Sequence, residues 1–329
     1  MNQMSVTTTT PAVFEFDYDV KIESLSRLYE NAKRDQWNAA TQLDWDREID
    51  RTKDILDMRM MPVHGSKMYQ ELGEERQRQL GHKIAAWRLS QFLHGEQGAL
   101  LVCGQLVDLV PDMDAKLCAS AQVMDEARHV EVFRRYIKKL DHIYPIDPTL
   151  QQLLNDILGH PLWPAKYVGM QIIVEGLAIA AFKVMRDTTL DPMLKEMLEY
   201  VMKDESRHVG FGLLALRNAI KEVSETDRRE IEDFAFAACQ AMVTRREGTE
   251  FRGGFLSLTT VFEEVGLDPV ALFVNETDAE VVARRTAMQR RFNGFLFADT
   301  IIPALTQLTL LNQRTEPWYR ELGVFDLTT

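Results

Sequence analysis

A repeat with an offset of 79 residues constrains this chain more than any other feature of its sequence. Each copy has a Glu placed 30 residues before a Glu-x-x-His motif, namely Glu96, Glu126 and His129 in the first copy and Glu175, Glu205 and His208 in the second. The neighbours of the motif are repeated as well, because Asp125 and Arg128 fall on Asp204 and Arg207. The shared residues are mostly those able to do chemistry, so we interpret the pattern as a repeated structural unit.

The spacing within each copy predicts an antiparallel pair of helices. A Glu and a His three residues apart lie one turn apart on the same face of a helix, where they can bind one metal ion together. Midway between the first Glu and the motif stand Pro111-Asp112 in one copy and Leu190-Asp191-Pro192 in the other. An Asp able to cap and a Pro at the first helical position are typical of a helix start. Each copy is therefore predicted to turn at its midpoint, which brings the lone Glu level with the motif, about 22 Å from the turn.

Two such hairpins packed together make a four-helix bundle with four carboxylates and two imidazoles at one level. The predicted bundle helices cover about 74–110, 112–141, 164–186 and 191–223. Four buried carboxylates would be very costly without cations, and two divalent metals balance their charge. Carboxylate and imidazole ligands suit iron, and they also suit manganese. A single Glu-x-x-His is more often a solvated helix face, but two copies with the same lead residue and turn are not expected by chance.

The residues beside the ligands are predicted to hold them in place. A ligating His usually donates its other N–H to a carboxylate. Asp125 and Asp204 are candidates for holding the His of the opposite repeat, with Arg128 and Arg207 neutralising them. The alternative is that all four are ordinary surface charges. Positions one turn from the ligands would line a mostly apolar substrate pocket, although simple core packing explains each of them as well: Phe92, Ala99, Leu100, Phe133, Gln171, Ile172, Ile179 and Gly212.

Composition limits the partners and the compartment. The net charge of -12 disfavours nucleic acid and anionic membrane surfaces. We find no uninterrupted apolar run of membrane-spanning length and no signal-peptide pattern, so we expect a cytoplasmic protein without a membrane partner. Cys103, Cys118 and Cys239 form no metal-binding pattern and are expected to be reduced thiols that line the core.

Strand signals are weak throughout, so the predicted class is all-α. Residues 1–14, which include Thr7 to Thr10, are expected to form a disordered tail. Residues 15–329 are expected to form a single domain, because neither hairpin can bury its ligands alone. The bundle then carries additional N-terminal and C-terminal helices.

The constellation resembles that of the ferritin-like carboxylate-bridged di-iron oxygenases and oxidases. Within that superfamily the paired Asp-Glu-x-Arg-His motifs are most similar to those of bacterial multicomponent monooxygenase hydroxylases and acyl-carrier desaturases, and di-iron N-oxygenases share the architecture. The resemblance covers roughly residues 77–221. It implies an enzyme with two iron ions that activates O2 through a peroxo or high-valent intermediate. The implied reaction is hydroxylation or N-oxygenation of a small metabolite; acyl desaturation and iron handling as a ferroxidase are the alternatives.

Two departures narrow the resemblance. Ribonucleotide reductase small subunits keep a radical Tyr one turn after the first motif His, where this chain has Phe133. Arylamine N-oxygenases carry a third His one turn before the last Glu-x-x-His, where this chain has Val201. That residue argues against a three-His N-oxygenase and leaves open relatives with two His that act on nitrogen. No flavin, nicotinamide or iron–sulfur motif is present, so we expect a separate ferredoxin or reductase as electron donor, and bundle precedent suggests a homodimer. The sequence identifies no catalytic residue beyond the metal site and no specific substrate.

Overall fold

The fold is built from helices, and a computed structural model describes residues 12–243, 245–247, 250–252, 258–273 and 276–325. The first helices are α1 (Glu23–Arg34), α2 (Ala39–Gln42), α3 (Lys67–Glu71), α4 (Glu74–Leu109), α5 (Met113–Leu140), α6 (Pro148–Gly159) and α7 (Trp163–Tyr167). They are followed by α8 (Glu175–Thr188), α9 (Pro192–Glu222), α10 (Glu225–Met242), α11 (Thr259–Glu264), α12 (Pro269–Phe273), α13 (Ala279–Asn293), α14 (Ile302–Gln307) and α15 (Glu316–Glu321). The all-α class is confirmed. A small antiparallel ribbon of β1 (Arg245–Glu247) and β2 (Glu250–Arg252) is the addition that the sequence did not predict.

Four long segments form the bundle. Helix α4 packs along α5, and α9 packs along α8, as the two predicted hairpins require. The two hairpins meet where α5 contacts α9, and α1 lies across both of these helices. Helix α9 begins as predicted, because the Asp191 carboxylate accepts the N–H of Leu194 at 2.8 Å and Pro192 occupies the first turn.

The turn before α5 is built differently from the prediction. Asp112 precedes the helix, but its side chain caps no backbone N–H. Asp114 instead accepts the backbone N–H groups of Lys21 and Ile22, both at 2.8 Å. This contact fixes the start of α1 against the hairpin, so the carboxylate is used between elements and not within its own helix.

The third bundle segment is not a regular α-helix. Residues Val168–Val174 form a π-helical stretch between α7 and α8, and it ends at Glu175. Such stretches are rare in proteins, and those that occur often lie at functional sites. The helical segment Trp163–Thr188 is also long and apolar enough, with a mean hydropathy of 1.7, to satisfy the criteria for a membrane span, and 72% of that window is buried within the protein. Burial of this kind is what the central helix of a bundle requires.

The ligand level divides the core into two hydrophobic clusters. On α4, Trp87 belongs to one cluster and Val102 to the other, with Glu96 between them. On α9 the order along the chain is the same, because Val201 belongs to the first cluster and Phe211 to the second, and on α5 it is reversed, with Cys118 in the second cluster and Phe133 in the first. The polar layer therefore lies across the bundle with apolar packing on both sides. The predicted tail falls mainly on residues 1–11, which lie outside the described part of the chain.

Candidate metal centre

The six predicted ligands converge in the middle of the bundle. Glu96 comes from α4, Glu126 and His129 from α5, Glu175 from the first turn of α8, and Glu205 and His208 from α9. All six side chains are buried, with at most 5% of their surface exposed. Their donor atoms form two groups, in each of which the atoms lie within 4.8 Å of one another, and Glu126 and Glu205 belong to both groups.

The first group surrounds the Nδ1 atom of His129. This nitrogen lies 3.2 Å from Glu96 Oε2, 3.4 Å from Glu126 Oε2 and 3.0 Å from Glu205 Oε1. Three oxygens and one nitrogen thus point at one small volume. The arrangement has the donor number and the donor types of a carboxylate-rich iron or manganese site.

The second group surrounds the Nδ1 atom of His208. This nitrogen lies 2.8 Å from Glu205 Oε2, 3.2 Å from Glu126 Oε1 and 3.8 Å from Glu175 Oε1. Glu126 and Glu205 each direct one oxygen to either group, whereas Glu96 and Glu175 serve one group each. These residues would hold two metal ions, with Glu126 and Glu205 shared between them.

The electrostatics of the layer call for cations. Burial and the neighbouring Glu205 raise the pKa of Glu96 and of Glu175 well above its usual value. Burial also acts to raise the pKa of Glu126, but the adjacent imidazoles outweigh it and hold that pKa well below the usual range. Two oxygens in this layer, Glu126 Oε2 and Glu205 Oε1, are buried and accept no hydrogen bond. Unsatisfied carboxylate oxygens are costly in a protein interior, and two divalent ions would satisfy them, so the residues fit a dinuclear metal cofactor.

The imidazoles are held from behind by the opposite repeat. His129 Nε2 lies 3.1 Å from Asp204 Oδ2, and His208 Nε2 lies 3.3 Å from Asp125 Oδ2. A carboxylate partner places the proton of each imidazole on Nε2. The lone pair on Nδ1 then points toward the Glu oxygens of its own donor group, where it could bind a metal ion. The two Asp residues therefore cross-connect the repeats at the positions that the sequence suggested for them.

Two arginines close this arrangement into a ring of alternating charge. Arg128 and Arg207 each contact both Asp125 and Asp204, with Arg128 Nη2 2.9 Å from Asp204 Oδ2 and Arg207 Nη2 3.2 Å from Asp125 Oδ2. Burial acts to raise the pKa of Asp204, but the hydrogen bond from His129 and the nearby cations hold it well below its usual range. Both carboxylates therefore remain ionised acceptors for the imidazole N–H groups.

Two residues from the segment after α1 complete this charged ring, and no sequence pattern indicated them. Gln36 Nε2 donates to Asp125 Oδ1 at 2.8 Å, and its own Oε1 accepts from Arg128 Nη1 at 2.7 Å. The indole N–H of Trp37 donates to Asp204 Oδ2 at 2.8 Å, with the Arg128 guanidinium 4.8 Å from the indole ring. Both residues lie outside the repeat, so no spacing rule could connect them to the site.

A glutamine inside the bundle was also missed. Gln122 Nε2 donates to Glu126 Oε1 at 2.9 Å and to Glu175 Oε1 at 3.0 Å, and Gln122 Oε1 accepts from Gln171 Nε2 at 3.0 Å. The signal was available, because Gln122 stands one turn before Glu126 on the same face. The same position in the second repeat is Val201, which offers no donor atom, so among the described residues the site has two imidazoles.

The predicted pocket residues lie at two opposite ends of the ligand layer. We call the aromatic end the group Phe92, Phe133, Phe182 and Val201, and the amide end the group Cys103, Gln122, Gln171 and Gly212. Ring centroids at the aromatic end are 4.7 Å apart for Phe92 and Phe182 and 5.8 Å apart for Phe92 and Phe133. Most of the predicted residues are buried, namely Ala99, Phe133, Gln171, Ile172 and Gly212, whereas Phe92, Leu100 and Ile179 are half-buried.

A small cavity reaches the amide end from beneath α1. Its volume is about 20 Å³, and it is lined by Leu28, Tyr29, Ala32, Cys118, Ala121, Gln122, Asp125, Arg207, His208 and Phe211. This volume suits about one water molecule. The cavity is too small to hold an organic substrate.

Comparison with known proteins adds a family and a set of similar folds. The sequence matches the family model of P-aminobenzoate N-oxygenase AurF over residues 19–265. A search of curated proteins found no match. Among solved structures, an R2-like ligand-binding oxidase variant with an anaerobically reconstituted Mn/Fe cofactor is 16% identical, with 88% of this chain and 95% of that chain covered and a TM-score of 0.47. A second variant of that oxidase, with an aerobically reconstituted Mn/Fe cofactor, is 16% identical, with 85% and 93% covered and a TM-score of 0.48.

Proposed function

This chain belongs to the P-aminobenzoate N-oxygenase AurF family, and we propose that it N-oxygenates an amine on an aromatic substrate. As a member of that family it is an oxygen-dependent oxidoreductase of the di-iron class. The observation that carries the proposal is the pair of donor groups that share Glu126 and Glu205. We prefer iron as the metal, because the family is a di-iron one. The donor types do not distinguish the two metals, since manganese also binds carboxylate and imidazole groups.

The reaction balances with one external source of electrons. One oxygen atom of O2 enters an N–H bond to give a hydroxylamine, and the other leaves as water after uptake of two electrons and two protons. A bound pair of iron ions supplies the redox chemistry of O2. We propose a separate ferredoxin or reductase as the electron donor, because the sequence contains no motif for a flavin, a nicotinamide or an iron–sulfur cluster.

The residues of the chain supply orientation and exclusion of water. Asp125 and Asp204 fix the imidazole rings from behind, and Gln122 restrains Glu175 by a hydrogen bond. At the aromatic end the rings of Phe92, Phe133 and Phe182 pack against one another. Phe92 and Phe133 stand one helical turn from the ligands Glu96 and His129. An apolar wall of this kind keeps water from a reactive oxidant and accepts a flat ring by edge and face contacts.

Two further proposals concern assembly and location. We propose a homodimer that uses the outer face of α4 and α5, supported by the exposed apolar side chains of Leu101, Leu117 and Met124. Light scattering is expected to give twice the mass of one chain. Met124→Glu is expected to shift the measured mass toward that of a single chain. We also propose a cytoplasmic location, supported by the three free, buried cysteines. Fractionation of the native host is the test of that proposal.

The function is tested by loading the protein with Fe(II) without oxygen and then adding O2, a chemical reductant and p-aminobenzoate. We expect uptake to saturate at two irons per chain, and we expect ¹⁸O from ¹⁸O₂ to appear on the nitrogen of the product. Glu126→Ala is expected to abolish both, whereas Glu131→Ala, on the same helix and paired with Arg135 at 3.2 Å, is the control. Iron uptake far beyond two per chain with mineral formation would replace the proposal with iron handling. Two irons per chain without any oxygenated amine would overturn N-oxygenation.

A further inference from the structure

We propose that Gln122 makes the two metal positions unequal, so that the first position binds its ion more tightly than the second and fills first. The first position is that of the donor group Glu96, Glu126, His129 and Glu205, and the second is that of the donor group Glu126, Glu175, Glu205 and His208. This inequality rests on the dinuclear centre of the proposed function, but not on its substrate. Gln122 is a positioning residue, because it acts on the metal ions only through their carboxylate ligands.

Gln122 donates to two carboxylate oxygens that face the second position. Its Nε2 atom lies 2.9 Å from Glu126 Oε1 and 3.0 Å from Glu175 Oε1. These same two oxygens lie 3.2 Å and 3.8 Å from Nδ1 of His208. The amide is buried, and both of its N–H groups are therefore used on ligands of the second donor group.

The oxygens that face the first position receive no such hydrogen bond. Glu126 Oε2 and Glu205 Oε1 lie 3.4 Å and 3.0 Å from Nδ1 of His129. Both oxygens are buried and accept no hydrogen bond. No amide in the described part of the chain donates to Glu96, whose carboxylate lies 3.2 Å from the same imidazole nitrogen. The two positions thus differ in hydrogen bonding although their donor types are the same.

A second amide fixes the direction in which Gln122 donates. Gln171 Nε2 donates to Gln122 Oε1 at 3.0 Å, so the oxygen of Gln122 is used by that donor and its nitrogen faces the carboxylates. At the other end of the ligand layer, the matching positions hold Val201 and Phe92. Neither side chain has an N–H group. The inequality therefore follows from the amides, which only one end of the layer carries.

These hydrogen bonds determine which position binds its ion more tightly. A carboxylate oxygen that already accepts a hydrogen bond has less negative charge to offer a metal ion than an oxygen that accepts none. A buried oxygen without a partner also carries a desolvation penalty, and an ion that binds to it removes that penalty. Both effects favour the first position. A hydrogen bond to a charged group corresponds to a difference in affinity of about 10- to 100-fold.

The second position is also the one beside the small cavity under α1. Gln122 and His208 line this cavity of about 20 Å³, whereas the ligands of the first donor group do not. A volume of this size suits about one water molecule. Water there would solvate an ion that enters or leaves the second position. The weaker position is therefore also the one whose ion exchanges more readily.

The test measures metal binding alone, with Mn(II) as the probe and without O2 or substrate. The EPR signal of free Mn(II) reports the unbound fraction. Repulsion between two bound ions weakens the second step of binding wherever it occurs, so each position is measured by itself. Glu175→Ala keeps the first donor group complete, and Glu96→Ala keeps the second. We expect Glu175→Ala to bind its ion about 10- to 100-fold more tightly than Glu96→Ala.

Gln122→Met is then added to each of these variants, because methionine is a flexible side chain without an N–H donor. We expect it to raise the affinity of Glu96→Ala about tenfold or more, and to change that of Glu175→Ala much less. Gln91→Met is the control. Gln91 is also a buried glutamine, but its Oε1 accepts from the backbone N–H of Asp147 at 2.7 Å and its amide contacts no metal ligand. It is expected to leave both affinities unchanged.

Three results would overturn the proposal. Equal affinities of Glu96→Ala and Glu175→Ala, or tighter binding by Glu96→Ala, would contradict the order of filling. A lower affinity of Glu96→Ala after the addition of Gln122→Met would show that the amide assists binding. Should Gln122→Met fail to fold, Gln171→Leu replaces it, because it frees the amide of Gln122 to rotate. A gain in the affinity of Glu96→Ala would then support the proposal, and an unchanged affinity would overturn it.

These results are independent of the proposed reaction. An order of affinity that depends on Gln122 supports the inequality even if the iron-loaded protein oxygenates no amine, and in that case only the proposed function is overturned. Equal positions overturn the inequality even if N-oxygenation is observed.

Discussion

The two ends of the ligand layer are built from matching positions of the two repeats but have opposite chemistry. At the amide end Gln122 and Gln171 connect to Glu126 and Glu175 through a chain of hydrogen bonds. At the aromatic end the matching positions hold Val201 and Phe92, which make no hydrogen bonds with their side chains. The same offset of 79 residues pairs Cys103 with Phe182 and Gly212 with Phe133.

This difference separates two requirements of the site. Binding two metal ions of similar type needs similar donors in both repeats. Each donor group accordingly holds three Glu and one His. Substrate binding and water exclusion need only one side of the layer. The amide end restrains the ligand Glu175 by a hydrogen bond from Gln122, whereas the aromatic end is apolar. Variants that exchange residues between the two ends therefore test this division of roles.

The largest effect is expected when a shared ligand is removed. Glu205 supplies one oxygen to each donor group, whereas Glu175 supplies only the second. Glu205→Ala is expected to reduce the metal content from two ions per chain to below one, and Glu175→Ala to leave about one, as measured by elemental analysis after dialysis. The exposed Glu199→Ala on the same helix is expected to keep both ions. Equal losses in Glu205→Ala and Glu175→Ala would show that the carboxylates do not bridge.

The next effect tests the close packing at the amide end. A Cβ added at Gly212 would lie 2.4 Å from the Cβ atom of Gln171, whereas one added at Gly210 would meet nothing within 4 Å. Gly212→Ala is expected to destabilise the protein by about 1–3 kcal/mol through overpacking. Gly210→Ala is expected to stabilise it by about 0.5–1 kcal/mol, because alanine favours the helix. Thermal unfolding at fixed metal content measures both, and a Gly212→Ala variant as stable as Gly210→Ala would contradict the packing.

A smaller effect is expected from breaking the amide chain. Gln122→Val copies Val201 of the other repeat and leaves the buried Nε2 of Gln171 without its glutamine acceptor, at an expected loss of about 1–3 kcal/mol of unfolding free energy. Gln122→Val combined with Gln171→Leu removes that unsatisfied donor. The double variant is therefore expected to lose about 1 kcal/mol less than the sum of the two single variants. Simple additivity in thermal unfolding would mean that the two amides do not act together.

The last effect depends on pH and concerns Lys166, which matches Trp87 in the first repeat. Its ammonium group is fully buried and donates to Gln105 Oε1 at 2.8 Å and to two carbonyls at the end of α6. Burial lowers the pKa of Lys166 from 10.5 to about 8, so the unfolded chain binds more protons between these two values. The contribution of this group to stability is therefore expected to rise with pH across that window, by at most about 1.4 kcal/mol for each pH unit, with its penalty fully present below pH 8.

Urea unfolding at pH 7.5 and 9.5 isolates this contribution. Lys166→Met is expected to remove the additional gain in stability at the higher pH. The exposed Lys195→Met is expected to keep the wild-type difference between the two values. An unchanged difference in Lys166→Met would contradict the assignment of the titration to this residue.

The repeat predicted the bundle helices and the convergence of the metal ligands. It did not predict the parts of the site that come from outside the repeat or from irregular helix geometry. Hairpin geometry follows from a fixed rise per residue, so equal spacing on either side of a turn brings Glu96 level with Glu126. Nothing in the spacing indicated the π-helical stretch before Glu175, which packs against α9 and α10. Gln36 and Trp37 approach the layer from a segment outside the repeat, and Asp114 holds α1 where Asp112 was expected to cap α5.

The chemistry of the centre follows from the sequence alone, because donor types and helical periodicity are local properties of the chain. The sequence determined the two Glu-x-x-His motifs, the leading Glu of each repeat and the Asp that faces the opposite His. Folding brought in the residues from outside the repeat that contact the ligand layer, namely Gln36 and Trp37, and set amides on one side of the layer and aromatic rings on the other. Such features depend on how distant helices pack around equivalent positions, and a repeated sequence pattern carries no information on that difference.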